Sequence, residues 1–171
     1  MHKASIYPSV KDRAIARRGS LRVFDSLDIR RTAHVVVDLQ NGFMAQGQVA
    51  EIGTAREIVP NVNRISAALR AGGGQVVYIQ NTFDAEAVAG WSTYFNHFCT
   101  AERRARMIDA FTPGSFGHAL WDGLDVRPED LKVWKRRFGA FAPGASRLHE
   151  ILSNRGIDTI IVTGTDRKSV V

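Results

Sequence analysis

The chain has 171 residues, 44% hydrophobic and 23% charged, with a formal net charge of +6 and one cysteine. That composition fits a single soluble globular domain with a real core, and it excludes an intrachain disulfide and a cysteine-rich zinc site. No run of about 18 apolar residues occurs and the start MHKASIYPSV lacks an apolar h-region, so neither a membrane span nor a secretory signal is expected. The expected compartment is the cytoplasm.

The positive charge is concentrated at the start. Residues 1–31 hold eight basic residues against three acidic ones, a surplus of five, and the remaining chain carries +1. Without interleaved aromatics or a recognition-helix pattern this reads as a solvated basic arm, so no nucleic-acid or membrane partner is expected. Within it a short helix is predicted over residues 10–18, ended by Gly19.

The stretch HVVVDLQNGF follows at residues 34–43. Val35, Val36 and Val37 form an unbroken β-branched run, which predicts an interior parallel strand covered on both faces. Asp38 stands where that strand ends, and in open parallel sheets ligands gather at the carboxyl ends of strands. It reads either as a reactive carboxylate or as a turn cap. Residues 44–49 are expected to be a surface loop, and residues 58–69 carry apolar positions at helical spacing with Pro60 in the first turn and Gly72 at the end.

Residues 76–79 predict a second strand, with Gln80, Asn81, Thr82 and Asp84 at its carboxyl end. The stretch that follows is dense in aromatics, including Trp91, Tyr94, Phe95 and Phe98. Most are expected in the core of an amphipathic helix, with Trp91 and Tyr94 placed to wall a pocket. Cys99 has no adjacent base and reads as structural. Residues 131–134 predict a third strand ending at Lys135. That lysine is either one of a solvated trio with Arg136 and Arg137 or the buried partner of Asp38. A helix over 143–154 and a strand over 159–163, ending in Gly164 and Thr165, complete an alternation of strands and helices that predicts a parallel sheet.

Three of these strand ends carry DLQNGF, WKRRFGAF and RGIDTIIVTGT, and in this order and spacing the chain resembles the isochorismatase-like cysteine hydrolases over residues 21–165. The resemblance implies a three-layer α/β/α sandwich with a mostly parallel sheet and a catalytic triad of aspartate, lysine and cysteine. It assigns the acid/base role to Asp38 and the charge-stabilising role to Lys135. It makes Gln40, Phe43, Trp91 and Tyr94 substrate-binding candidates and Gly164 with Thr165 the oxyanion turn. The implied activity is hydrolysis of a C–N bond in a small amide or ureido substrate through a thioester. The alternatives are a vinyl ether hydrolase that uses the aspartate as acid, and a non-catalytic binding module on the same fold. NTFDAEA supplies Asp84 without a histidine two residues on, so no metal and no cofactor is expected. A small-molecule substrate and a homo-oligomeric intact protein are the expected partners.

The likeness breaks off after Thr165. The family continues to its nucleophile cysteine about five residues on, whereas this sequence reads DRKSVV, with Val170 at that position and no later strands. GATCGGAAGAGCGTCGTGTAG, part of a common sequencing adapter, translates as DRKSVV and a stop. The expected organisation is therefore a basic arm over 1–31, an incomplete hydrolase domain over 32–165 that lacks the last strands, and a non-native tail over 166–171. As truncated, the chain is expected to be inactive.

Overall fold

The computed structural model describes residues 6–165, so the tail expected over 166–171 lies outside the described residues. Four strands, β1 (Thr32–Val37), β2 (Gln75–Asn81), β3 (Leu131–Lys135) and β4 (Thr159–Gly164), form one all-parallel sheet in the order β3-β2-β1-β4. The valine run lies in β1, which is flanked on both sides and buried along its whole length.

Its side chains alternate between two layers, as a strand requires. Ala33, Val35 and Val37 pack with Val77, Ile79 and Val133 beneath Leu148 and Leu152 of a helix at Leu148–Asn154. Val36 faces the other way, with Val76 and Tyr78, against Val59 and Val62 of the helix at Val59–Ala71. Helices on opposite faces of a parallel sheet make a three-layer α/β/α arrangement.

In chain order the helices are α1 (Pro8–Arg18), α2 (Asn41–Met44), α3 (Val59–Ala71), α4 (Ala85–Gly90), α5 (Ser92–His97), α6 (Ala101–Phe111) and α7 (Leu148–Asn154). Helix α1 has no buried residue and ends at Gly19, in keeping with a solvated arm. No helix among the described residues is long and apolar enough to cross a membrane.

Three expectations are corrected. Residues 44–49 are not all surface loop, because Met44 closes α2 with its side chain fully buried in the α3-side core. The aromatic stretch is two short helices broken at Trp91, and Phe98 is 76% exposed instead of buried. The last helix begins at Leu148 and not at 143. Gly144 turns into the left-handed region at φ 71, and the Ala145 carbonyl accepts from the Arg136 N–H at 2.8 Å, which ties this segment to the loop after β3.

The α3 face of β1 carries two buried polar side chains, Thr32 and His34. His34 is fully buried, with Nδ1 2.9 Å from Ser66 Oγ of α3 and Nε2 2.8 Å from Thr163 Oγ1 of β4. Burial, and then the positive charge of Arg70, lower its pKa to about 4. A group whose folded pKa lies below its unfolded value contributes fully above the unfolded value, near 6.5, and loses that contribution as pH falls toward 4. We expect about 2 kcal/mol to be lost at pH 5 through this one group. Burial also lowers the pKa of His118, which acts in the same direction. Urea melts at pH 7 and 5 on wild type and His34→Asn isolate His34, and parallel pH profiles for the two proteins would remove it from the acid response.

Candidate active site

The carboxyl ends of β1, β2, β3 and β4 carry Asp38, Asn81, Lys135 and Thr165, so the site is a row of polar groups along one sheet edge. Asp38 has φ 55 and is the one non-glycine residue with positive φ among those described. Aspartate tolerates that region better than most residues, yet it is sparsely populated and concentrates where a site needs a fixed direction. The Asp38 N–H donates to the Ile79 carbonyl at 3.0 Å, which anchors this turn to β2.

Lys135 lies at the end of β3, on the far side of β2. Val133 faces the α7 layer, so Lys135, two residues on, extends over the same face. Its Nζ reaches across β2 to Asp38 Oδ2 at 2.8 Å, with the two side chains 1% and 5% exposed. Nζ also donates to the Phe138 carbonyl at 3.1 Å, and that of Arg137 stands at 3.5 Å. A buried ion pair recovers its desolvation cost only when such further hydrogen bonds complete it, and apolar residues would often hold a fold equally well. Two desolvated charges at the ligand-binding edge of a parallel sheet therefore point to chemistry.

The solvated-trio reading of residues 135–137 is thereby corrected. Arg136 forms a bidentate pair with Asp84, its Nε lying 3.0 and 2.9 Å from the two carboxylate oxygens, and reaches Glu86. That bond holds the Asp84 carboxyl below its ordinary range, and Asp84 in turn caps α4 through the Ala87 N–H. Arg137 donates to the Gly90 carbonyl and sits 5.6 Å from the Trp91 ring centre. Both arginines thus brace the α4 region against the loop that receives Lys135.

At the end of β4, Gly164 has φ 111, and a Cβ there would stand 2.7 Å from the Val37 N and nearer still to its carbonyl oxygen. Thr165 donates its N–H to the Val37 carbonyl at 3.0 Å. That N–H is committed to β1, so donors for an oxyanion have to come from elsewhere in the turn, and residues past 165 lie outside those described. Thr165 Oγ1 and Asn81 Oδ1 are buried without a hydrogen-bond partner among the described residues, and both belong to strand ends flanking Asp38.

The other sequence-derived residues take distinct places. Gln40 is fully buried and spends its amide on main chain, donating to the Asn81 and His118 carbonyls at 3.0 Å and accepting from the Asn81 N–H at 2.7 Å. It sets the geometry of the site instead of offering a group to a ligand. Phe43 is partly buried with its ring 4.6 Å from Phe111. Trp91 and Tyr94 stack at 4.4 Å and both meet the edge of Phe138, at 4.6 and 5.4 Å. Because the Phe138 carbonyl accepts from Lys135, this aromatic group joins the ion pair through one residue. Burial, and then Cys99 nearby, push the Tyr94 hydroxyl up to about 12.

Sequence reading assigns no role to Phe138 or to the side chain of Asn81. Strand alternation, which places Asn81 on the face of Ile79, is the available signal for the second. A surface cavity of about 440 Å³ lined by Phe95, Cys99, Arg104 and Ile108 lies along α5 and α6 and includes neither Asp38 nor Lys135. Among the described residues no group of three or more His, Cys, Asp or Glu side chains is placed to hold a metal ion.

The isochorismatase domain profile matches residues 32–171. A probable inactive nicotinamidase of Arabidopsis thaliana is 29% identical over 143 residues, covering 83% of this chain and 69% of the relative. The ureidoacrylate amidohydrolase RutB of Rhizobium rhizogenes is 30% identical over 145 residues, covering 78% of this chain and 58% of the relative. A crystal structure of a cysteine hydrolase from Pseudomonas syringae pv. phaseolicola superposes with a TM-score of 0.65 at 21% identity, over 82% of this chain and 62% of that one. The chain thus spans 58–69% of the length of these relatives.

Proposed function

The chain belongs to the isochorismatase domain family, a family of hydrolases, and from that membership we propose that the intact protein hydrolyses the C–N bond of a small amide or ureido substrate through a cysteine thioester. The observation that carries the proposal is the 2.8 Å contact between Lys135 Nζ and Asp38 Oδ2 at the carboxyl edge of the sheet. The likeness to a ureidoacrylate amidohydrolase supports the bond type.

In this reading the nucleophile is a thiol beyond residue 165. Asp38 takes the thiol proton, and the thiolate adds to the substrate carbonyl. Lys135 keeps the carboxylate in place and balances the charge that moves between thiol and aspartate. The tetrahedral adduct expels the amine, which leaves with the proton held by Asp38. Water then adds to the thioester, Asp38 accepts its proton, and the acid departs as the thiol is restored. A second reading, a non-catalytic binding role on the same fold, draws on the likeness to a probable inactive nicotinamidase.

The test uses the full-length protein with Cys99→Ser, so that alkylation at Cys99 cannot account for the result. Ammonia or amine release from amides and ureides is expected before alkylation with iodoacetamide and not after it. Release that survives alkylation would replace the thiol route with one that uses Asp38 as acid. Binding of the same compounds without release would favour the non-catalytic reading.

A further inference from the structure

Among the described residues, the end of β2 holds a polar group used by neither the fold nor the Asp38–Lys135 pair. Asn81 is 4% exposed, and its Oδ1 accepts no hydrogen bond among the described residues. Leaving a buried amide oxygen without a donor costs about 1–3 kcal/mol, and protein interiors satisfy nearly all such groups. Gln40 meanwhile grips the Asn81 main chain in both directions, through its carbonyl and its N–H. The Asn81 backbone is therefore held by a clamp that leaves the side-chain oxygen unspent.

The direction follows from the strand. Alternation puts Asn81 on the face of Val77 and Ile79, and its register partner is Lys135 on β3. The lysine crosses β2 on that face to reach Asp38, so Asn81 lies in the row between the strands that supply the two charged groups. A small carbonyl compound seated on this edge meets a fixed hydrogen-bond acceptor beside the reacting pair. Only a ligand that brings an N–H or O–H satisfies it. An ester or ether oxygen has no hydrogen to give and leaves Oδ1 without a donor.

Resting on the hydrolase reading above, we propose that Asn81 is the residue that reads the substrate's nitrogen: its Oδ1 accepts the N–H of the scissile amide or ureide and makes the site selective for C–N over C–O bonds. Gln40 is then a positioning residue acting through Asn81. Sites built around such a bond reject the analogue that lacks the N–H by factors up to about 10⁴–10⁵. With one bond invoked here, a preference of about 100-fold or more is expected.

The test compares N-(dimethylcarbamoyl)glycine with its oxygen counterpart, O-(dimethylcarbamoyl)glycolate, in which no N–H remains, on full-length wild type and Asn81→Leu. Turnover gives kcat/KM and calorimetry gives affinity. Wild type should prefer the ureide by about 100-fold, and the variant should bring the two probes within about 3-fold of each other. Asn81→Leu removes an unsatisfied buried group, so it should melt no lower than wild type. Asn81→Ala gives the same comparison if leucine does not fit. Equal treatment of the two probes by wild type, or an equal loss on both in the variant, would overturn the inference while leaving the hydrolase reading intact. Absence of turnover with a calorimetric preference that the variant abolishes would overturn the hydrolase reading and leave the role of Asn81 standing. Wild type that binds neither probe would overturn the ureide assignment.

Discussion

Replacing Lys135 with methionine is expected to destabilise the fold by about 3–5 kcal/mol, a loss out of proportion to one surface-type residue. The ammonium is 1% exposed and stands 2.8 Å from a carboxylate that is itself 5% exposed. Methionine fills the space and leaves the Asp38 charge buried without its cation. The cost is that of an uncompensated charge, so it should fall away when the charge does. The double variant Asp38→Asn with Lys135→Met is accordingly expected to recover most of the loss, to within about 1–2 kcal/mol of wild type. Asparagine suits this position because it tolerates the positive φ of Asp38. Urea melts at pH 7 on wild type and the two variants measure this. A Lys135→Met cost below about 1 kcal/mol would mean that the pair is solvated.

Gly164→Ala carries the second large effect. A Cβ at this position meets the Val37 main chain, and φ is 111, so the substitution combines backbone strain with a collision against a strand that cannot move without unpairing. About 1–2 kcal/mol is expected from the left-handed backbone and about 1–3 kcal/mol from overpacking, some 4 kcal/mol in all. Gly156 provides the internal comparison, since its φ is 66 and a Cβ added there would meet nothing within 4 Å. Gly156→Ala should show only the smaller backbone contribution. Equal costs for the two would mean that β4 does not press on β1 at Gly164, and the position of Thr165 beside Asp38 would lose its support.

Much of the architecture is legible because β1 announces itself. Three consecutive valines with no polar alternation demand cover on both faces, and the sheet order β3-β2-β1-β4 provides it. Asp38 and Lys135 are legible as strand-end residues, and for Lys135 burial and the contact with Asp38 decide between a solvated trio and a buried pair. Local spacing cannot show whether a lysine in KRR is solvated; only the register of β3 with β2 turns it across the sheet toward Asp38.

The parts that escape are long-range. The role of Gln40 inverts because residues 81 and 118 converge on its amide, and nothing near position 40 indicates that. His34 is inconspicuous beside a run of valines, since its partners Ser66 and Thr163 arrive from α3 and β4. The start of α7 differs from expectation because Ala145 and Leu148 fit a helical period, while Gly144 and the bond from Arg136 to Ala145 hold the first of them in a turn. Periodicity recognises a buried face without recognising which backbone presents it.

The central claim is that Asp38 and Lys135 act as one unit at the sheet edge. Hydrolysis of N-carbamoylglycine by full-length Asp38→Asn, Lys135→Met and the double variant tests it most directly. Each single change is predicted to lower kcat/KM by about 10³-fold or more, and the double variant to be no worse than the poorer single within about 3-fold, because groups that act together are lost together. Losses that multiply in the double variant, or a folded Asp38→Asn protein with undiminished turnover, would contradict it.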